Sequence, residues 1–344
     1  MTNAAMKLGI TMPTRTVELA RVPEYARWAE EAGLDSAWDW ELYRNPFTML
    51  AMSTQTTSNI GLGTGIGVTA SRSPMEMANA AADIDELSGG RMLLGIGSGV
   101  LEFASAFHDK PPTKPLTRVS EYIDVLRLAW QYVSTGEAPD YNGDFHTFVP
   151  PPFNPWGVRE LARPQIPIYL GAIGPKMLDL VGRKCNGWIG YLATPSLVRD
   201  VVRPGIEAGA VEAGRQLSDV DLMLELICVV HDDPEVAMQR ARKQVGFYVA
   251  HPSSDSIVAH AGLTDEVKAL RGAMMSEGLA AFEKTPDAVV NAFSITGTPD
   301  EAREKLTAWE GVVDHVVFHT PYVPPFTAEE SEDAYRNILA AFRR

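Results

Sequence analysis

Residues 59–99 read NIGLGTGIGVTASRSPMEMANAAADIDELSGGRMLLGIGSG. Two β-rich runs, Asn59–Thr69 and Arg91–Gly99, flank one helical pattern. Ser73-Pro74 opens the helix, a capping side chain followed by proline at the first position. Met77, Ala78, Ala81 and Ile84 form its apolar stripe, and Gly89-Gly90 ends it. Strand, helix, strand in that order is a βαβ unit, whose strands pair in parallel through a right-handed crossover.

The same alternation runs along the chain. Further strands are expected at Lys7–Thr14, Asp35–Glu41, Pro167–Gly174, Gly187–Ala193, Asp221–His231 and Asp314–Thr320. Helical patterns follow each, opening at Pro23, Pro46, Thr117, Pro175, Leu197 and Thr298-Pro299, with one more closing the chain. Eight βα units can close into an α/β (β/α)8 TIM barrel. An open doubly wound sheet is the alternative. Residues 1–344 read as one domain with two insertions. The proline-rich stretch 134–167 should cross or support the barrel mouth. Residues 234–285 are longer than one barrel helix needs and carry the weakest pattern.

Composition limits function. With 344 residues, 45% of them hydrophobic, a large core is available. Lys and Arg number 30 and Asp and Glu 44, a net charge of −14, and no basic stripe with interleaved aromatics occurs. Nucleic acid and anionic membranes are therefore poor partners. Cys185 and Cys228 form no metal spacing. No leader pattern and no run of about 20 apolar residues is present, so a cytoplasmic location is expected.

In a barrel the site lies at the C-terminal strand ends. Gly63, Gly65 and Gly67 alternate at the end of the third strand, and Gly95, Gly97 and Gly99 at the end of the fourth. Bare backbone there suits a bulge, the close approach of a flat ring, or simply loop entry. GIGSG is not a dinucleotide fingerprint, because Val100 and Glu102 occupy the third glycine's places. Gly171–Lys176 (GAIGPK) ends a strand and starts a helix, whose free N–H groups and Lys176 suit an anion, or make a plain β–α turn. Trp40 reads as pocket lining or core, and Asp39 and Glu41 as acid/base groups or surface carboxylates. Of the scattered histidines, His319 ends the last strand and is the best placed to see a ligand. No HExxH or GxSxG mark of a zinc enzyme or serine hydrolase occurs.

These blocks resemble the luciferase-like monooxygenase superfamily. YARWAEEAGLDSAW from Tyr25, the 59–99 block with its SGGR turn, PIYLGAIGPKMLDLVGRKCNGWI from Pro167 and FSITGTPDEAREKL from Phe293 carry the resemblance. It implies a TIM barrel with insertions, usually a homodimer. It also implies flavin mononucleotide (FMN) or the deazaflavin coenzyme F420 at the mouth. The pattern is more similar to the F420-dependent branch of methylene-tetrahydromethanopterin reductases and glucose-6-phosphate dehydrogenases. There a non-proline cis peptide at the end of strand three backs the ring, here Gly65-Ile66 with Gly67. The phosphate site would fall on Ala172, Ile173, Gly174, Pro175 and Lys176, and a cofactor-contacting turn on Gly97, Ser98 and Gly99. The sequence departs from the sugar-phosphate dehydrogenases, which carry a histidine just after strand two where WDWELY stands. They also place a glutamate directly after the strand-four GTG, where Val100 stands. Glucose-6-phosphate oxidation is not expected.

The expectation is hydride transfer between F420 and a small organic substrate, with Trp40, Glu41 and His319 as the catalytic candidates. The alternative is an FMN-dependent monooxygenase that uses O2 and reduced flavin, supplied by a partner reductase. A non-catalytic cofactor-binding protein and a metal-dependent barrel hydrolase are the remaining readings.

Overall fold

The computed structural model describes residues 5–100, 113–151, 155, 157–323 and 326–344. In chain order the main strands are β1 (Lys7–Thr11), β2 (Ser36–Asp39), β3 (Gly61–Thr64), β4 (Met92–Gly97), β5 (Ile168–Gly171), β6 (Gly187–Tyr191), β7 (Asp221–Val230), β8 (Ser294–Gly297) and β9 (His315–His319). The longer helices among the described residues are α1 (Val22–Glu31), α2 (Pro46–Ser53), α3 (Pro74–Ser88), α4 (Pro115–Thr135), α5 (Pro175–Lys184), α6 (Arg203–Glu212), α7 (Pro234–Val249), α8 (Asp255–His260), α9 (Thr264–Glu277), α10 (Asp287–Phe293), α11 (Pro299–Leu306) and α12 (Ala328–Ala341).

Strands pair in the order β7, β9, β1, β2, β3, β4, β5, β6, and β6 pairs back with β7. The pairs are parallel, for example Leu8 with Val316 and Leu94 with Ile168. This is the closed (β/α)8 barrel, in which each of the eight strands has a neighbour on both sides. All eight expected strands are present. The open sheet is excluded. One strand is additional: β8 pairs with Ile227–Val230, the part of β7 that extends past its partner β9. Its four residues, SITG, are too short to show a period beside the strong Thr298 helix start.

Internal contacts divide the chain into two units. One is Asp39–Ile189 with Gly205–Val220. In it α3 buries the expected stripe of Met77, Ala78, Ala81 and Ile84, and α4 buries Tyr122, Ile123, Leu126 and Trp130. Trp130 Nε1 donates to Ala78 O at 3.0 Å, so the helix pair is closed by a satisfied indole. The SGGR turn proves to be a fastening. Gly89 and Gly90 take positive φ, and the Arg91 guanidinium donates to the carbonyls of Ser88 (2.7 Å), Thr57 (3.0 Å) and Ile60 (2.6 Å).

The 134–167 segment belongs to the same unit. A short hairpin pairs Tyr141–Asn142 with Thr147–Phe148. Its turn is held by Glu121 of α4, whose carboxylate accepts the N–H groups of Asp144 (2.8 Å), Phe145 (2.8 Å) and His146 (3.0 Å). Further on, Arg163 donates to the carboxylate of buried Asp85 and to Met92 O at 2.6 Å. Met92 begins β4, so this part of the insertion passes the N-terminal strand ends, not the mouth expected from its prolines. The chain must return there to enter β5 from its start.

The other unit is Met1–Trp38, Gly190–Pro204 and Asp221–Arg344. Here residues 234–285 are helices packed on one another. Ala237, Ala241, Val245 and Val249 of α7 share an apolar cluster with Ile257, Leu270, Phe282, Val289 and Phe293. A Cβ on Gly246 would sit 2.2 Å from Thr285 Oγ1. The pattern looked weak because this helix contributes alanine and glycine to close packing, residues with little hydropathy of their own.

Glu121 gives a stability test. Burial by itself would raise its carboxyl, but the three N–H donors outweigh that and hold it below the usual carboxylate range. Glu121→Gln is expected to cost about 1–3 kcal/mol at neutral pH. A group whose folded pKa is depressed stabilises above its unfolded value, about 4.3, and loses that contribution as pH falls through the folded value. Denaturant melts of wild type and variant should therefore converge in acid. A gap that stays constant with pH would contradict this account.

Candidate functional site

The tips of β3, β4 and β5 meet in the first unit. A cis peptide bond joins Gly65 and Ile66, where the resemblance implied one. Gly65 N donates to Asp39 O at 2.8 Å, and Glu41 N to Ile66 O at 3.2 Å. After this bulge Gly67 and Val68 resume parallel pairing with Ile96 and Gly97. The strand is thus interrupted for two residues and then recaptured.

The glycines here have identifiable causes. A Cβ at Gly95 would lie 1.9 Å from the carbonyl oxygen of Thr64, so β3 and β4 can approach only with hydrogen at that place. A Cβ at Gly97 would lie 2.5 Å from Ile66 Cδ1, and one at Gly171 3.5 Å from Ile66 Cγ2. Part of the bareness therefore houses the Ile66 side chain. Gly99 takes φ +67 in the turn after β4, where the Ser98 hydroxyl donates to its carbonyl at 3.3 Å.

The turn after β5 is open. Ala172 is buried, its carbonyl accepting Trp188 Nε1 at 2.8 Å, while Ile173, Gly174, Pro175 and Lys176 are exposed. Gly174 is the N-cap of α5 and has no side chain to cap it. Helices α3, α7, α11 and α12 have Ser73, Asp233, Thr298 and Thr327 in that role. No acid occupies the first turn of α5, and among the described residues nothing lies within 4 Å of a Cβ position at Gly174. Uncapped N–H groups, the positive helix end and Lys176 together suit a phosphate.

Trp40 and Glu41 follow β2. Trp40 is half-buried. Glu41, expected among the acid/base candidates, has its carboxylate engaged. Oε2 accepts from Val68 N at 2.7 Å and Arg72 Nη1 at 2.6 Å, and Oε1 from Ser71 Oγ at 2.8 Å and Arg72 Nη2 at 3.0 Å.

The second unit carries its own polar group at strand ends. His319, the last residue of β9, is buried, and its Nδ1 lies 3.4 Å from Glu225 Oε2 on β7. Glu225 Oε1 is buried with no hydrogen-bond partner among the described residues. Around the imidazole stand the rings of Tyr191 (5.2 Å), Tyr322 (5.7 Å) and Tyr248 (6.2 Å), and the Tyr248 and Tyr322 hydroxyls bond each other. Arg15 lies 5.7 Å from the Tyr322 ring centre. Gln244 of α7 holds the segment by accepting Tyr322 N at 2.9 Å and Val323 N at 3.0 Å. Burial raises all three phenols, Tyr322 to about 12, so they are hydrogen-bond donors at neutral pH. Sequence reading singled out His319 and gave no part to Glu225, Tyr248, Tyr322 or Arg72. Glu225 had a signal: it is the one charge within the apolar run LMLELICVV. The tyrosines had none, because they come from a helix and a loop distant in sequence.

The model of the luciferase-like monooxygenase family matches residues 6–316. The chain belongs to that family. Membership makes it an oxidoreductase. The 5,10-methylenetetrahydromethanopterin reductase of Archaeoglobus fulgidus is 30% identical over 335 residues, spanning 93% of this chain and 95% of the reductase. The structure of coenzyme F420 dependent tetrahydromethanopterin reductase from Methanopyrus kandleri superposes with a TM-score of 0.80 at 25% identity, covering 99% of this chain and 98% of that one. The oxygenating constituent of 3,6-diketocamphane monooxygenase from Pseudomonas putida, solved with FMN, shares the fold at a TM-score of 0.69 and 16% identity, covering 99% and 97%.

Two alanine variants separate backbone from side-chain crowding at the tips. Gly95→Ala meets a carbonyl that cannot move alone and is expected to cost more than about 3 kcal/mol. Gly97→Ala meets the end of a flexible side chain and is expected to cost about 1–2 kcal/mol, recovered largely by adding Ile66→Val. Equal losses for the two single variants in thermal melts would show that Ile66 does not fill the space beside Gly97.

Proposed function

We propose that this family member is an F420-dependent oxidoreductase that moves a hydride between the deazaflavin and a small organic substrate. The observation that carries the proposal is the pairing, within one unit, of the Gly65-Ile66-Gly67 bulge with an exposed, uncapped helix start at Gly174–Lys176. A flat ring needs a rigid backbone bed, and its phosphate needs N–H groups and a cation. The residues present fit both. The extent of the Archaeoglobus and Methanopyrus reductase matches favours the deazaflavin over FMN.

In this reading Gly65, Ile66, Gly67 and the Gly97-Ser98-Gly99 turn seat the ring, and Ala172–Lys176 hold the phosphate. The cofactor, when bound, supplies the redox chemistry. Trp40 lines the substrate side. His319 is the acid/base group. The Glu225 carboxylate beside Nδ1 favours hydrogen on that nitrogen and steadies the imidazole, as second-sphere carboxylates do. The phenols of Tyr191, Tyr248 and Tyr322 surround this imidazole within the same unit and keep their protons at neutral pH.

Titration of the apo-protein with F420 and with FMN tests the reading by absorbance and fluorescence. Micromolar F420 binding is expected. Binding of FMN alone, with oxygen uptake on reduced flavin, would move the assignment to the monooxygenase. Binding of neither would end both. Lys176→Ala is expected to weaken F420 about two- to fivefold. His319→Gln is expected to slow turnover by about 10²-fold with F420 affinity unchanged.

A further inference from the structure

We propose that Glu41 and Arg72 form a positioning clamp that holds the cofactor bed in shape, and that Glu41 is not a proton donor or acceptor. The inference rests on the cofactor reading above. It begins from the number of bonds that one carboxylate makes. Both Glu41 oxygens are engaged, by a backbone N–H, a hydroxyl and both ends of a guanidinium. The two side chains are only 12% and 11% exposed. A carboxylate so occupied has little free lone-pair capacity with which to take up a substrate proton.

What those bonds fasten is specific. The donors Val68, Ser71 and Arg72 lie on the segment that leaves the Gly65-Ile66 bulge and enters α3. The backbone of Glu41 takes hold of the same segment on its other side, through its N–H to Ile66 O at 3.2 Å. One residue thus grips both ends of a stretch running from 66 to 72. Arg72 is itself fixed by three further contacts. Its Nε lies 3.0 Å from Glu76, its guanidinium lies 5.0 Å from the Phe47 ring centre, and its carbonyl accepts Tyr122 Oη at 3.1 Å. The ladder from β4 pairs Gly67 and Val68 and ends at Thr69, whose N–H donates to Gly97 O at 2.9 Å. Between this point and α3 the carboxylate does the work of a missing strand neighbour.

The geometry also chooses the test. Removing Arg72 would leave a part-buried carboxylate with only neutral donors, and the cost of that would obscure the result. Glu41→Gln keeps size and one acceptor, and Arg72 retains Glu76. Three measurements on wild type and Glu41→Gln decide the matter. Hydrogen exchange of the apo-protein should quicken in residues 66–72, Val68 foremost, with the other barrel strands unchanged. The F420 dissociation constant should rise roughly tenfold or more, as for loss of a charged hydrogen bond. Turnover at saturating F420 should stay within a few-fold. Glu41→Ala, which keeps no acceptor, should exaggerate the first two effects.

Unchanged exchange in 66–72 overturns the clamp, whatever cofactor the protein binds. Quickened exchange with unchanged F420 affinity overturns its link to the bed. Lost turnover with exchange and affinity intact would restore Glu41 as an acid/base group. A wild type that binds neither F420 nor FMN would instead defeat the cofactor reading and with it the link to the bed, leaving exchange to judge the clamp by itself.

Discussion

The carbonyl oxygen of Thr64 lies where a side chain on residue 95 would begin. This contact between β3 and β4 sets the rest of the first unit. It requires glycine at 95, and the Thr64 hydroxyl adds a bond to Gly95 O at 2.7 Å. The chain leaving β3 does not continue straight. It bulges at Gly65-Ile66, sends the Ile66 side chain toward Gly97 and Gly171, and rejoins β4 at Gly67. Tight packing here thus requires small residues around Thr64 O and the Ile66 side chain.

Sites on such a barrel are made from strand ends, and the strands themselves are buried scaffolding. Here the ends carry two kinds of chemistry. One unit presents backbone, an open helix start and a lysine. The other presents an imidazole, a carboxylate and phenols, each held by burial and by ring contacts. The first kind suits an anionic planar cofactor. The second suits movement of protons.

Several candidate residues were legible before the structure. His319 and Lys176 stood out by their place at strand and helix ends, and Gly65-Ile66 by its match to a family pattern. The structure altered the meaning of others. Gly95 and Gly97 were open to a bulge, the approach of a ring or loop entry, and the structure adds that Thr64 O and Ile66 stand where their side chains would be. Glu41 looked like a free acid, yet it is bound on both oxygens. The proline-rich segment was expected to cross or support the mouth, yet Arg163 ties its later part to the start of β4. In each case the deciding partner lies at least 25 residues away in sequence or hides in a backbone atom that has no sequence signal.

The sequence by itself determined the barrel. Eight β-rich runs, each with its helix signal, leave few ways to bury their apolar faces, because periodicity is a local property written residue by residue. Tertiary structure alone decided which polar groups face one another. Glu225 meets His319 because β7 and β9 are neighbours in a ring, and Tyr248 meets Tyr322 because a helix and a loop converge there. Such meetings depend on closure and register, which no single segment encodes.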